Sequence, residues 1–329
     1  MASAEQLKAL LKSHMDGDDA HFYSVAMQVA AREAKMGHGK LALELKKIID
    51  NAKKKSSIDN TIEKNKAVIH IAQPRGEVAN LLEVSFPILK INDMILTPPV
   101  ARQLDRIILE QRNVHKIKNH GLHPRRKLLL VGPPGAGKTM TASMLAGELG
   151  LPLFIVRLDA LITRFMGETS AKLRQIFDAI RDTRGVYFFD EFDAIGSQRG
   201  MDNEVGEQRR ILNTFLQLLE RDDSDSFIIA ATNSIESIDK AMFRRFDDVI
   251  EYKLPDREQR LALLREYLYT AKDLDFSSAE PLFDGMSHAE IKMVCSDIFK
   301  ESLLNDRKID LPLVQTIVNM RQQLNRQTS

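Results

Sequence analysis

The segment of residues 132–139 constrains the fold more than any other part of this sequence. It reads Gly-Pro-Pro-Gly-Ala-Gly-Lys-Thr and matches the pattern G-x-x-x-x-G-K-[ST] at every fixed position. The apolar run 128–131 precedes it, and helical spacing of apolar residues follows from Met140. A glycine-rich turn between a strand and a helix directs backbone N–H groups and the positive end of the helix toward one point. The segment therefore predicts a phosphate-binding turn in an α/β domain.

The composition fits an ordinary globular protein and argues against several other classes. Lys+Arg 47 and Asp+Glu 46 leave a formal net charge of +1, so the charge balance favours neither nucleic acid nor an anionic membrane as a partner. The single cysteine, Cys295, excludes an internal disulfide framework, and the lack of disulfides favours a cytoplasmic location. Cys295 itself is expected in the core. No apolar run approaches the length of about 18 residues that spans a membrane, and no signal peptide is recognisable at the N-terminus.

The pattern along the chain predicts four parts. Residues 1–55 show three stretches of helical apolar spacing, which suit either a bundle packed on the rest of the chain or an adaptor for a substrate or partner. A linker is expected over 56–85, a large α/β domain over 86–255 and a small helical lid domain over 256–329. Strands are expected to alternate with helices, at 128–131, 153–157, 186–189, 227–231 and 249–252. This alternation predicts a three-layer αβα domain with a parallel sheet.

The glycine-rich turn supplies the expected contacts to ATP. Lys138 is expected to reach the β- and γ-phosphates, and the hydroxyl of Thr139 is expected to ligate Mg²⁺. The remaining expected contacts are made by the other residues of the turn and the start of the helix, namely Pro134, Gly135, Ala136, Gly137 and Met140. ATP and Mg²⁺ are thus the predicted ligands.

Two carboxylates follow the third predicted strand, residues 186–189. Asp190 and Glu191 come directly after the apolar run 186–189, so they are expected beside the phosphate-binding turn at the carboxyl edge of the sheet. Asp190 would hold Mg²⁺ and Glu191 would polarise the attacking water as a general base. Asn233 ends a neighbouring strand and could orient the same water.

Two adjacent arginines, Arg244 and Arg245, follow later in the chain. Hydrolysis needs a cation on the charge that develops at the γ-phosphate, and an arginine finger can raise the rate about 10³- to 10⁵-fold. An exposed surface pair explains the two residues equally well when they are considered by themselves.

Together, in order and spacing, these four motifs resemble the classical AAA clade of the AAA+ ATPases over residues 91–300. The resemblance implies that Asn233 is the sensor-1 residue. Arg244 and Arg245 resemble the shortened Arg-Arg fingers of katanin-like and spastin-like members, which act in trans on the ATP of a neighbouring subunit. A single homohexameric ring of bacterial type is therefore expected, and which arginine is the main finger stays open.

The resemblance extends to three further segments. Phe165, Met166 and Gly167 resemble the first pore loop, which grips an extended polypeptide, although composition alone also suits a buried Phe–Met pair. Residues 93–96 resemble the adenine-side wall, which implies a contact from Ile95. Residues 285–291 resemble a segment that contacts ribose and adenine, which implies contacts from Gly285 and Ala289. His288 replaces a glycine of that segment and is expected to be structural.

The predicted function is Mg²⁺-dependent ATP hydrolysis in a hexameric ring, coupled to remodelling or threading of a protein substrate. The predicted partners are other copies of the chain, the protein substrate and, as a further candidate, a separate protease or adaptor. One alternative is a nucleic-acid motor or loader, which the balanced charge and short basic runs disfavour. Another is an ATP-dependent assembly switch for a partner, which the full set of catalytic residues disfavours.

Overall fold

The structure, a computed structural model of the chain, describes residues 26–27, 76–161, 168–192, 202–233, 243–271 and 273–328. The chain divides into two compact units, Met1–Ile71 and Ala72–Ser329, and nearly all described residues belong to the second unit. The predicted N-terminal helical region lies outside the described residues, apart from residues 26–27. Its assignment therefore stays a prediction.

The described part of the second unit contains a six-stranded sheet and two sets of helices. The strands are β1 (Leu82–Ser85), β2 (Lys127–Val131), β3 (Leu153–Val156), β4 (Val186–Phe189), β5 (Phe227–Thr232) and β6 (Asp248–Glu251). The helices before the lid are α1 (Pro98–Arg112), α2 (Val114–Lys118), α3 (Lys138–Leu149), α4 (Leu158–Leu161), α5 (Glu168–Asp182) and α6 (Asp202–Arg221). The lid helices are α7 (Arg257–Tyr267), α8 (Phe276–Ala279), α9 (His288–Leu304) and α10 (Leu311–Thr328).

The sheet has the strand order β1-β3-β4-β5-β2-β6. All its neighbouring strands are parallel except β1, which pairs antiparallel with β3 at the edge. Because β2, β4 and β5 are adjacent and parallel, the segments that follow them emerge at one edge of the sheet. That edge carries the phosphate-binding turn after β2, the carboxylates after β4 and Asn233 after β5.

Both faces of the sheet are covered, which explains why its central strands read as continuous apolar runs. All six residues of β5 are buried. Ile228 and Ala230 belong to a core shared with α5 and α6, whereas Ile229 and Ala231 belong to a second core shared with α1 and α3. The predicted three-layer αβα fold is therefore confirmed.

The five strands predicted from the sequence are present, each within one residue of the expected ends. β1 was not predicted, and it lies within the range assigned to the linker. It is a four-residue strand at the sheet edge, so it carries too few residues for a clear alternation.

Helices α7, α8, α9 and α10 share an apolar core of their own. Cys295 is fully buried there, as expected from its apolar neighbours on α9, and burial raises the pKa of its thiol to about 12. The lid helices α7 and α9 both begin with a capping box, formed by Asp256 with Gln259 and by Ser287 with Glu290. These reciprocal bonds fix where each helix starts. None of the helices in the described ranges is long and apolar enough to cross a membrane.

Candidate nucleotide site

The turn between β2 and α3 is fixed by close contacts on two sides. At Gly132, an added Cβ would lie 2.5 Å from the backbone oxygen of Tyr252. At Gly135, where φ is +72°, it would lie 2.8 Å from the Oγ atom of Ser287 in the lid. A side chain at either position would displace backbone or lid atoms, so these two glycines let the turn pack against β6 and the lid at once.

Lys138 is the first residue of α3, and its side chain folds back over the turn. The residue is only 7% exposed. Its Nζ atom donates to the backbone oxygens of Gly132 at 2.7 Å and Pro133 at 3.0 Å, and to the Oδ1 atom of Asn233 at 2.9 Å. The structure therefore brings together two predicted site residues, Lys138 and Asn233. It also places an ammonium group at the positive end of a helix, where anions bind favourably.

Thr139 and Asp190 are also in direct contact. The hydroxyl of Thr139 donates to the Oδ2 atom of Asp190 at 2.9 Å, and Thr139 is exposed while Asp190 is partly buried. Mg²⁺ prefers oxygen ligands and takes one or two from the protein, with phosphates and waters completing its shell. A hydroxyl and a carboxylate side by side, next to the phosphate-binding turn, fit that requirement.

Glu191 occupies a sharp turn directly after β4. Its φ of +47° is uncommon for a residue with a side chain and costs about 1 kcal/mol. The next residue, Phe192, is buried and donates its N–H to the oxygen of Ala231 at 2.8 Å, while the N–H of Glu191 donates to the Oδ1 atom of Asp190 at 2.9 Å. Because Phe192 is anchored in the core, the turn leaves the Glu191 carboxylate exposed at the carboxyl edge of the sheet.

Arg244 and Arg245 lie away from this edge. Asp247 lies two residues after Arg245. Its Oδ2 atom accepts hydrogen bonds from the backbone N–H groups of Arg126 at 2.9 Å and Lys127 at 2.8 Å. Lys127 is the first residue of β2, whereas the phosphate-binding turn follows its last. At about 3.3 Å per residue, the two ends of β2 are about 13 Å apart. The structure therefore does not bring the arginines together with the turn of the same chain.

The two arginines also differ from each other. Arg244 is exposed, and among the described residues it makes no hydrogen bond or ion pair. Arg245 is partly buried, and its Nε atom lies 3.5 Å from the Oε2 atom of Glu220 near the end of α6. Arg244 is thus the more available of the two to a second molecule.

A cleft of about 590 Å³ adjoins the phosphate-binding turn. It lies between the segment before α1, the turn, the end of β6 and the first residues of two lid helices. Its lining includes Ile95, Leu96, Ala136, Tyr252, Asp256, Gln259 and His288. A cleft of this size with a mixed apolar and polar lining is typical of small-molecule sites.

The residues predicted to contact the adenine and ribose of ATP have different positions relative to this cleft. Ile95 lines it, and its backbone oxygen accepts from the Nε2 atom of Gln259 at 3.3 Å. Ala289 contacts the turn instead, since its N–H donates to the oxygen of Gly135 at 3.1 Å. Gly285 has a φ of +77° just before the cap of α9 and is not part of the lining.

Tyr252, Asp256 and Gln259 were not predicted as site residues, and His288 was expected to be structural, but all four line the cleft. For Tyr252 a positional signal existed, because it follows a strand that is parallel to β2 and so lies at the same edge. His288 lies within residues 285–291, and the resemblance of that segment to one that contacts ribose and adenine was a signal for it, whereas nothing in the sequence marked Gln259. The predicted pore-loop residues Phe165, Met166 and Gly167 lie outside the described residues.

Comparisons with known proteins agree with this geometry. Residues 128–254 match the ATPase family associated with various cellular activities (AAA). The uncharacterised AAA family ATPase y4kL of Sinorhizobium fredii is 35% identical over 317 residues, which cover 94% of this chain and 92% of that protein. The proteasome-activating nucleotidase of Aeropyrum pernix is 37% identical over 201 residues, covering 58% of this chain and 49% of the relative.

Among solved structures, the AAA domain of FIGL-1 superimposes with a TM-score of 0.60 at 22% identity, covering 74% of this chain and 86% of that one. A second structure of that domain is in complex with ADP. The chain spans about half the length of the proteasome-activating nucleotidases it matches, but nearly all of y4kL. The resemblance to the AAA clade, and with it the prediction of an ATP-hydrolysing enzyme, is confirmed: the chain belongs to the AAA family of ATPases.

Proposed function

We propose that this AAA family ATPase uses Mg²⁺, works as a homohexameric ring and remodels or threads a protein substrate. The observation that carries the proposal is the meeting of Lys138, Thr139, Asp190 and Asn233 at the carboxyl edge of three adjacent parallel strands. These side chains, of the types that phosphoryl transfer requires, form two hydrogen-bonded pairs there, although they come from three separate parts of the sequence.

The phosphates of ATP would lie over the backbone of residues 134–140. Lys138 would exchange its contacts with Gly132, Pro133 and Asn233 for phosphate oxygens, so the polar partners of its ammonium group are replaced rather than lost. Thr139 and Asp190 would hold Mg²⁺, which neutralises phosphate charge when it is bound.

Glu191 and Asn233 would act on the attacking water. The exposed Glu191 carboxylate would accept a proton from the water as its oxygen bonds to the γ-phosphorus. The bond from that phosphorus to the β–γ bridging oxygen breaks, and ADP leaves with the electron pair. Once Lys138 turns to the phosphates, the amide of Asn233 is released to orient the water.

The position of the arginines supports a shared active site. Asp247, two residues after Arg245, is bonded to the start of β2, whereas the turn of the same chain follows the end of that strand. A neighbouring copy in a ring could bring its arginines to the γ-phosphate, with the exposed Arg244 as the main finger and Arg245 held by Glu220. A head-to-tail interface of this kind forms a ring when its rotation closes.

A protein substrate is supported by the relatives. Several of them are named proteasome-activating nucleotidases, and another is an ATP-dependent zinc metalloprotease. We propose that Phe165, Met166 and Gly167 form a pore loop that contacts the substrate, that the protein acts in the cytoplasm, and that a separate protease or an adaptor is a partner. Ile95, Gly285 and Ala289 belong to the nucleotide side of the same proposal.

Substrate capture tests the proposal. The Glu191→Gln variant should bind ATP without turning it over, and so should retain substrates. Pull-downs from lysate with and without nuclease would compare this variant with Glu191→Gln that also carries Phe165→Ala. A defined set of proteins that disappears with Phe165→Ala is the expected result. If the Glu191→Gln variant instead retains nuclease-sensitive nucleic acid, and Phe165→Ala does not change that retention, the result would support a nucleic-acid motor or loader.

A further inference from the structure

His288 lines the cleft beside the phosphate-binding turn, but the proposed hydrolysis gives it no role. It is the first residue of α9 and is half-buried. Its neighbours in the sequence explain why the side chain is placed there. Ser287 caps the helix with Glu290, and the N–H of Ala289 donates to the oxygen of Gly135 at 3.1 Å. Residues on both sides are thus fixed, so the position of His288 relative to the turn is fixed as well.

The imidazole of His288 carries an unsatisfied polar atom. Its Nδ1 atom is buried, and it has no hydrogen-bond partner among the described residues. A buried polar atom without a partner costs free energy, and such atoms in folded proteins call for an explanation. Rotation about the Cβ–Cγ bond exchanges the positions of Nδ1 and Cδ2, so the ring can present a nitrogen to different surroundings without moving the helix.

The ring is also suited to a neutral, flat ligand. Burial lowers the pKa of His288, with Asp256 opposing the shift, so the neutral imidazole is favoured. The N-terminus of α9 disfavours the charged form further. A neutral imidazole offers one donor, one acceptor and an aromatic face.

The cleft indicates which part of a nucleotide would meet this ring. Ala136 belongs both to the phosphate-binding turn and to the cleft lining, so the cleft begins where the phosphates end. The lining is apolar at Ile95 and Leu96, and Gln259 adds an amide. A flat heterocycle with ring nitrogens, attached through a ribose to phosphates on the turn, matches these surroundings.

We propose that His288 contacts the nucleobase of bound ATP, packing its imidazole against the base and pairing a ring nitrogen with it. His288 is then a positioning residue for the nucleotide and not a catalytic one. This inference rests on the proposed nucleotide site, and it revises the expectation that His288 is purely structural.

The test compares ATP with inorganic tripolyphosphate, which has the phosphates but no base. Competition against a fluorescent ATP analogue would give the affinity of each for the full-length protein and for His288→Ala, His288→Gln and Lys138→Ala. His115→Ala serves as the matched control, because His115 is an exposed histidine on α2. The melting temperature of each variant would be measured alongside.

We expect His288→Ala to weaken ATP binding about 5- to 100-fold, the range for loss of one base–aromatic contact. Its tripolyphosphate affinity should stay within about twofold of the original. His288→Gln keeps the volume and polarity of the side chain, so it should fold even if His288→Ala does not. It should show the same selective loss of ATP affinity, because it lacks the aromatic ring.

Two results would overturn parts of the account separately. If both His288 variants change ATP and tripolyphosphate affinity by the same factor, or change neither, the base contact is wrong while the nucleotide site stands. If Lys138→Ala leaves both affinities unchanged, the nucleotide site itself is wrong.

Discussion

At the scale of single residues, the site is held ready by hydrogen bonds among its own members. Lys138 is bonded to the turn and to Asn233, and Thr139 is bonded to Asp190. A buried ammonium group is costly without polar partners, so these contacts keep Lys138 in position before a nucleotide arrives. In the proposed mechanism, each of these contacts is exchanged for a contact with a phosphate oxygen or a metal ion.

His288 provides a prediction about pH. Burial lowers its pKa in the folded protein below the ordinary value near 6.5, so the unfolded chain binds the proton first as the pH falls. The contribution of His288 to the free energy of unfolding is therefore fully present above about pH 6.5. It decreases as the pH falls toward the pKa of His288 in the folded protein. Asp256, Glu251 and Lys253 share the cleft, and of these Asp256 opposes the shift.

Denaturant unfolding at pH 7.5 and pH 5.5 checks this prediction. The protein should lose more unfolding free energy between the two pH values than His288→Gln does. His115→Gln should retain the full loss. An equal loss in the protein and in His288→Gln would show that His288 does not titrate differently on folding.

At the scale of elements, the start of α9 connects the lid to the phosphate-binding turn. Ser287 exchanges hydrogen bonds with Glu290, and the N–H of Ala289 is bonded to Gly135. The first N–H groups of a helix have no partner within the helix, so the turn and the cap satisfy groups that would otherwise be unpaired. A change in the cap should therefore affect both stability and nucleotide affinity.

Ser287→Ala removes the capping hydroxyl. It should lower the free energy of unfolding by about 1 kcal/mol and also weaken ATP binding. Ser296→Ala is the control, because Ser296 is an exposed serine in the same helix whose hydroxyl donates to the backbone oxygen of Lys292. Chemical denaturation and ATP titration would measure both effects. Equal effects of the two substitutions would contradict a special role for the cap.

Sequence patterns predicted the elements of the sheet better than they predicted the contacts between domains. The runs at β2, β4 and β5 are apolar because both faces are buried, and polar residues follow where the strands reach the edge. That pattern is local, so Lys138, Asp190 and Asn233 could be placed from the sequence. Docking of the lid depends on contacts distant in sequence, such as Ala289 with Gly135, and no local pattern encodes those.

At the scale of the whole molecule, the separation of the arginines from their own phosphate-binding turn is the decisive feature. Asp247 ties the segment that carries Arg244 and Arg245 to the start of β2, and the turn lies at the other end of that strand. In the proposed mechanism, one chain therefore contributes the nucleotide contacts and the general base but not the arginine finger. The proposal of a ring follows from this incompleteness.

Mixing defective subunits tests this central claim most directly. One variant is Lys138→Ala, which keeps the arginines but should not bind ATP, and the other carries Arg244→Ala with Arg245→Ala, which should bind ATP but lacks the fingers. Each alone should be at least about 10³-fold less active than the protein. In an equal mixture, about a quarter of sites would pair a bound ATP with a neighbour's arginines.

Phosphate release from the mixture is the measurement. The account predicts activity far above the sum of the two variants, and no recovery when Lys138→Ala is mixed with Glu191→Gln, because that pair never joins an intact nucleotide site to a general base. Differently tagged subunits would verify that the Lys138→Ala and arginine variants assemble together. If the activity of that mixture is no greater than the sum of the two variants measured separately, a shared active site is contradicted.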